Sequence, residues 1–245
     1  MKTGIIVQAR MTSTRLPGKV LLPVLGRPIL SYQIERLKRV AASDQLIVAT
    51  TLNEEDLPIV QLCEREGISH YRGSELDVLE RYHGAALRFG LDVVVRVTSD
   101  CPLIDPEVIG QCIEMYRDAE KQYDYVSNGR RRTYPRGMDV EVFSMNALRE
   151  AYDEGKTEPD REHVTPFIYR HPERYRLGEL LYVRDESRYR WTVDTPEDFE
   201  LVKRLLEETY PSKPQFNLED LLELIQQHPD WSAINAHIEQ KKLGE

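Results

Sequence analysis

Three cations gather in one short stretch of this chain. Residues 7–23, VQARMTSTRLPGKVLLP, carry Arg10, Arg15 and Lys19 at a spacing that lets a curled loop aim all three at one anion. Arginine clamps phosphate oxygens with parallel hydrogen bonds, and lysine adds a point charge. Gly18 permits close backbone approach, and Pro17 stiffens the turn. The residue types therefore point to phosphate binding, against the plainer alternative of solvated loop cations. The stretch is not a Walker loop, because Ser13 stands where the first glycine would be needed, and no G-x-G-x-x-G signals a dinucleotide.

The elements around this loop must hold it at a ligand-binding edge. Gly4-Ile5-Ile6-Val7 reads as a buried strand, and Pro28 can open a helix, so the cations lie in a loop at the carboxyl end of a strand. Open α/β sheets bind ligands there. PILSYQIERLKRVAA has one apolar helical face, QLIVAT is a second strand, and NEEDLPIVQLCEREG is a helix stopped by Gly67. ISHY, SELDVLERYHGAALRFG and DVVVRVT continue as strand, helix and strand. This rhythm predicts a doubly wound, mostly parallel α/β sheet with helices on both faces. In the second half, MDVEVFS, ERYRLGELLYV and RYRWTV read as strands. TPEDFELVKRLLEE reads as a helix capped by Thr195 with Pro196 at its first position, and two short helices follow at about 217–227 and 229–241. The expected organisation is an α/β domain over 1–210, with an insertion near 128–175, and a C-terminal helical extension over 211–245.

Composition bounds the function. The 245 residues carry a net charge of −9, with 40% apolar and 31% charged residues, as expected of one globular unit with a full core. The acidic balance argues against duplex nucleic acid as a partner, and no apolar run reaches the ~18 residues of a membrane span. Cys63, Cys101 and Cys112 are scattered and odd in number, which argues against a disulfide framework and for a reducing, cytoplasmic setting. The six histidines lack zinc-site spacing. Cys101 has no histidine partner in sequence, so packing explains it better than nucleophilic chemistry.

ARMTSTRLPGKVL resembles the signature loop of the cytidylyltransferases that make CMP-activated acidic sugars, the CMP-Kdo and acylneuraminate synthetases, and is most similar to the spore-coat polysaccharide biosynthesis type. The resemblance implies that the loop wraps the triphosphate of CTP, with Arg10, Arg15 and Lys19 on its phosphates. A triphosphate bound for chemistry normally brings Mg²⁺, held by few carboxylates. Asp100 follows the strand DVVVRVT, and Asp194 follows RYRWTV; helix capping is the alternative use of each. TSDCPLID resembles the magnesium-binding segment of the CMP-Kdo synthetases, and VDTPEDFE resembles their C-terminal metal motif, which assigns Mg²⁺ to Asp100 and Asp194. Thr98 occupies the position where those synthetases usually carry a glutamine that reads cytosine. The same resemblance implies that Arg72 and Ser74 lie near the cytidine; the residue types alone also allow Ser74 to cap a helix.

A second group of cations, Arg130, Arg131, Arg132 and Arg136, precedes a strand on which Asp139 and Glu141 share a face. An acidic sugar needs a cation for its carboxylate and acceptors for its hydroxyls; a solvated loop and a polar strand face are the alternative, which serves Arg130, Arg131 and Arg132 equally well. YPRGMDVEVF resembles the sugar-side motif of the spore-coat type, which implies sugar binding by Arg136, Asp139 and Glu141. Glu162 and His163 in REHVTPFIY can contact sugar or only orient their helix. The implied reaction is attack of a sugar hydroxyl on the α-phosphate of CTP, in a homodimer serving surface or spore-coat polysaccharide synthesis. Three rivals stand beside it. A glycosyltransferase of similar fold would commonly show D-x-D, which Asp100-Cys101-Pro102 does not supply. Another sugar nucleotidyltransferase would open on a glycine-rich loop. A non-catalytic module would bind nucleotide without releasing pyrophosphate.

Overall fold

A computed structural model describes residues 1–239. The strands are β1 (Thr3–Gln8), β2 (Pro23–Val24), β3 (Arg27–Pro28), β4 (Gln45–Thr51), β5 (Ser69–Gly73), β6 (Val93–Thr98), β7 (Tyr125–Ser127), β8 (Glu141–Ser144) and β9 (Leu177–Glu179). The helices are α1 (Ile29–Leu37), α2 (Leu57–Glu66), α3 (Val78–Phe89), α4 (Pro106–Tyr116), α5 (Met145–Glu154), α6 (Glu158–His163), α7 (Pro166–Tyr169), α8 (Pro196–Thr209) and α9 (Leu218–Gln227). Seven strands form one sheet in the order β5-β4-β1-β6-β8-β7-β9, and β2 and β3 form a separate small ribbon. The run β5-β4-β1-β6 is parallel; β8 alone runs against its neighbours, and β7 pairs parallel to β9. The doubly wound, mostly parallel α/β sheet is as expected.

β-branched residues make this sheet possible because both of its faces are covered. On one face Ile5, Val7, Val95 and Val97 pack with residues of α1, α4, α8 and α9. On the other, Ile6, Ile47 and Val94 pack with α3 and α5. Phe216, Leu218, Leu221 and Leu222 belong to the first of these cores, so the C-terminal helix α9 seats on the sheet's own helical layer. No helix among the described residues is long and apolar enough to cross a membrane.

Several boundaries differ from the sequence reading. The first helix ends at Leu37 rather than running to residue 42, and Pro28 is its cap, paired across the ribbon with Pro23. The helix after β5 starts at Val78 and is capped by Asp77, whose side chain accepts the Glu80 N–H, so Ser74 is not its cap. MDVEVFS and ERYRLGELLYV contribute only the strands Glu141–Ser144 and Leu177–Glu179. RYRWTV is not a strand; one bridge joins Arg190 to Arg136. Its apolar alternation is real, with Trp191 and Val193 fully buried, but its backbone serves loops. The Trp191 N–H donates to the Arg136 carbonyl at 2.7 Å, and that of Val193 to the Asp100 carbonyl at 2.8 Å. Gly137 allows this close approach: its φ is +101°, and a Cβ there would sit 2.7 Å from the Trp191 backbone. Thr195 and Pro196 open α8 as read. The expected helix at 229–241 is a short 3-10 turn over Pro229–Ala233, and its last two positions lie outside the described residues.

Candidate active site

The parallel strands β1 and β6 end in register, Gln8 opposite Thr98, so the loops that follow them start side by side. The first loop is tied down by its backbone. The Met11 N–H donates to Asp56 at 2.6 Å, and the Gly18 N–H returns to the Met11 carbonyl at 2.9 Å. Gly18 turns in the left-handed region, at φ 69°, and sends Lys19 back toward the sheet. The second loop carries Asp100. The strap at 190–194, bonded to both Arg136 and Asp100, delivers Asp194 to the same place. Asp100 and Asp194 therefore share a rim even though RYRWTV is not a strand.

These elements surround a cleft of about 930 Å³. Arg10, Arg15 and Lys19 line it with Thr98, Asp100, Asp194, Arg136, Asp139, Glu162 and His163, so ten of the residues singled out in the sequence meet in one cavity. An adjoining cavity of about 510 Å³ is lined by Glu141, Arg130 and Tyr169; Arg96, Thr98, Arg132 and Asp139 line both. Glu141 sits at this second cavity rather than in the main cleft. Arg72 and Ser74 line neither. Arg72 donates to the carbonyls of Thr51 and Asn53 at 2.9 and 3.0 Å, and the Ser74 hydroxyl accepts the Asp77 N–H. The effect of Arg72 on the cleft is indirect: the Asn53 side chain holds Glu75, which takes the Thr12 hydroxyl of the cationic loop.

At the centre, Lys19 Nζ lies 2.7 Å from Asp194 and 3.3 Å from Asp100. Arg15 pairs with the other oxygen of Asp194 at 2.9 Å, where Arg190 also donates at 2.8 Å. Burial works against the Lys19 charge, but the two carboxylates more than offset it and raise its pKa. Burial likewise opposes the charge of Asp100, yet Lys19 and the Thr98 hydroxyl hold it below the usual carboxylate range. Burial, reinforced by Asp100, pushes the Cys101 thiol well up, so it stays protonated and is no nucleophile. Burial lowers the pKa of His163, which is neutral at pH 7.

The site also contains residues the sequence reading did not single out. Arg96 rises from the middle of β6 into both cavities, bonded to Glu141 and, at 3.1 Å, to Gln8. Burial disfavours its charge, but Glu141 more than compensates and raises its pKa. Glu141 also accepts the hydroxyls of Tyr125 and Thr165, so it is fixed in place. Arg81, also not singled out, lines the main cleft from α3, while Arg132, named in the sequence, pairs with Asp139. An arginine inside an apolar strand such as VVVRVT was the available signal for Arg96, since a buried charge demands a partner and a reason.

Among the described residues no group of three or more His, Cys, Asp or Glu is arranged to hold a metal ion. Two aspartates that converge on one ammonium are still a hard-oxygen pair of the kind Mg²⁺ uses, with water and phosphate oxygens completing its shell. The Lys19 ammonium stands as a cation between them, so the donor set fits a divalent ion.

A cation-walled cleft with a carboxylate pair at its centre is nucleotide-handling geometry, and comparison with known proteins decides its kind. The sequence profile of the cytidylyltransferase family matches residues 4–230. The chain belongs to the cytidylyltransferase family. It is 34% identical over 233 residues to the spore coat polysaccharide biosynthesis protein SpsF of Bacillus subtilis, covering 92% of this chain and 94% of that one. A cytidylyltransferase structure from Leptospira borgpetersenii superposes with a TM-score of 0.90 at 34% identity, over 99% of this chain and 100% of that one. CMP:2-keto-3-deoxy-manno-octonic acid synthetase complexed with CTP shares the fold, with a TM-score of 0.66 at 18% identity over 85% of this chain and 99% of that one. This cytidylyltransferase is a nucleotidyltransferase enzyme, and the resemblance read from its loops is a family membership.

Proposed function

We propose that this cytidylyltransferase transfers CMP from CTP to an acidic sugar with release of pyrophosphate. The carrying observation is the wall shared by the two cavities: Arg96, Thr98, Arg132 and Asp139 separate a cation-rich cleft, which holds Asp100, from a second pocket. The triphosphate takes the cleft, on Arg10, Arg15 and Lys19, and the sugar takes the second pocket. There Arg130 and Arg132 supply cations for a carboxylate, and Arg136 adds one from the main cleft. Asp139 and Glu141 are held by their arginine partners, and Tyr169 offers an aromatic face. Glu162 and His163 close the cleft on the sugar side.

In this reading a sugar hydroxyl gives up its proton to solvent as its oxygen bonds the α-phosphorus, and the α–β bridging bond breaks, its electron pair leaving with pyrophosphate. The protein's part is positioning and charge neutralisation. Asp100 and Asp194 hold Mg²⁺, which when bound neutralises phosphate charge and polarises the reacting phosphoryl group. The segment 128–175 acts as a sugar-side insertion on residues 1–210, because Arg130, Arg132, Asp139, Glu141 and Tyr169 all come from it. Residues 211–239 act as the C-terminal extension, and the end of the expected span 211–245 lies outside the described residues. The reading further takes the enzyme as a cytoplasmic homodimer in surface or spore-coat polysaccharide synthesis, the pathway suggested by the SpsF relative.

The test is pyrophosphate release with CTP, UTP, ATP and GTP against a panel of Kdo-like and nonulosonic acids and neutral sugar 1-phosphates. Release that requires CTP, a divalent metal and an acidic sugar is the expected result. Release with a sugar 1-phosphate would overturn the acceptor class, and CTP binding with no release on any acceptor would leave a binding module.

Thr98 receives a different role from base reading. Its hydroxyl donates to Asp100, so it positions a metal carboxylate. Thr98→Val is expected to lower kcat about tenfold, the worth of one hydrogen bond to a charged group. The preference for CTP over UTP stays as it was. A changed nucleotide preference in this variant would return Thr98 to the base.

A further inference from the structure

We infer that Lys19 is a built-in counter-cation that closes the divalent-metal site until a triphosphate draws it away, so that nucleotide and metal bind with positive coupling. The inference rests on the assignment of Asp100 and Asp194 as metal ligands. Lys19 Nζ lies 2.7 Å from Asp194 Oδ1 and 3.3 Å from Asp100 Oδ2, between the two groups that would give a metal its protein oxygens. The remaining oxygens are also engaged: Asp194 Oδ2 accepts from Arg15 and Arg190, and Asp100 Oδ1 accepts the Thr98 hydroxyl.

Charge makes the arrangement self-sufficient. Lys19, Arg15 and Arg190 balance Asp100, Asp194 and Asp198, since Asp198 pairs with Arg190 at 2.9 Å. A dication entering this neutral cluster must displace the ammonium and then remain beside it, a like-charge contact in a partly buried site. A triphosphate changes both terms. It offers Lys19 and Arg15 new anionic partners, and it supplies the oxygens that a hard cation needs beyond two carboxylates. Lys19 can make the exchange because its ammonium rides a flexible four-carbon stem, whereas Arg190 is locked to Asp198 by two parallel bonds. Linkage then requires that metal strengthen nucleotide binding by the same factor that nucleotide strengthens metal binding.

Mn²⁺ serves as the probe, with bound and free ion separated by electron paramagnetic resonance on nucleotide-free protein. Wild type is expected to hold Mn²⁺ weakly, and Lys19→Met to hold it at least about tenfold more tightly, within the usual range of coupling between sites. Lys19→Arg restores the cation and is expected to exclude Mn²⁺ again, which a loss of packing alone would not produce. Lys19→Gln is the second variant should the methionine form fail to fold, as judged by circular dichroism. The same titration with CTP present, read against Asp194→Asn, separates the two claims. Equal Mn²⁺ affinity of wild type and the neutral variants, with CTP-dependent Mn²⁺ that Asp194→Asn loses, would overturn the role of Lys19 and leave the metal site standing. CTP-dependent Mn²⁺ identical in wild type and Asp194→Asn would overturn the metal assignment itself, and this inference with it.

Discussion

Replacing Arg190 with methionine lowers the free energy of unfolding by about 3–5 kcal/mol, the range for removing one partner of a buried ion pair. The Asp198 side chain is fully buried and that of Arg190 is 7% exposed. Two parallel bonds join them, Nε to Oδ1 at 2.9 Å and Nη2 to Oδ2 at 3.0 Å, and Nη2 reaches Asp194 as well. Methionine fills much of the same volume but leaves a carboxylate in the core without its guanidinium. The Asn235 amide, at 2.8 Å, and the N–H groups of Asp194 and Thr195 still donate to Asp198, and they set the lower end of the range. For a chain of this size the loss corresponds to a fall in Tm of roughly 6–20 °C. Arg190→Lys keeps a charge without the fork and falls between the two. A cost under about 1 kcal/mol in denaturant unfolding would class the pair with exposed ion pairs and remove Arg190 as the anchor of the strap.

That anchor shows where the sequence was legible and where it was not. The strands that carry the site announce themselves, because GIIV and VVVRVT are β-branched runs that suit only a sheet covered on both sides. Their carboxyl ends then place Arg10, Arg15, Lys19 and Asp100 on one rim without further information. RYRWTV misleads for a physical reason. Its alternating Tyr189, Trp191 and Val193 fit a strand, yet which backbone partner it finds depends on Gly137 letting Trp191 come within contact, a long-range fact. Arg72 is opaque for a similar reason. Its position past the middle of β5 is readable, but its bonds to the Thr51 and Asn53 carbonyls exist only because β4 and β5 pair with Thr50 opposite Arg72. Arg96 was visible as a charge in an apolar strand, but its partner Glu141 lies 45 residues away on an antiparallel neighbour. Side chains whose roles follow from a strand end can be read locally; those whose roles follow from pairing across the sheet cannot.

Asp194→Asn and Asp100→Asn each reduce kcat by about 10²–10³, the usual cost of losing a group that stabilises developing charge, while affinity for metal-free CTP moves the other way. The split follows from the two aspartates' neighbours. Asp194 engages both Lys19 and Arg15, at 2.7 and 2.9 Å, so an uncharged amide there releases two cations toward the phosphates. Among the described cations Asp100 pairs only with Lys19, at the longer distance of 3.3 Å. Asp194→Asn therefore tightens CTP binding in EDTA more than Asp100→Asn does, although both lose turnover. Titration of CTP by calorimetry in EDTA gives the affinities, and pyrophosphate release in saturating metal gives kcat. General damage to the cleft would weaken binding in both variants, so the opposed signs distinguish a metal pair from a merely structural one. Full turnover in either variant would remove that aspartate from the reaction. Weaker binding in both would mean that the cations are held in place by their carboxylates, and that the cluster's first duty is to shape the loop rather than to exchange partners with the nucleotide.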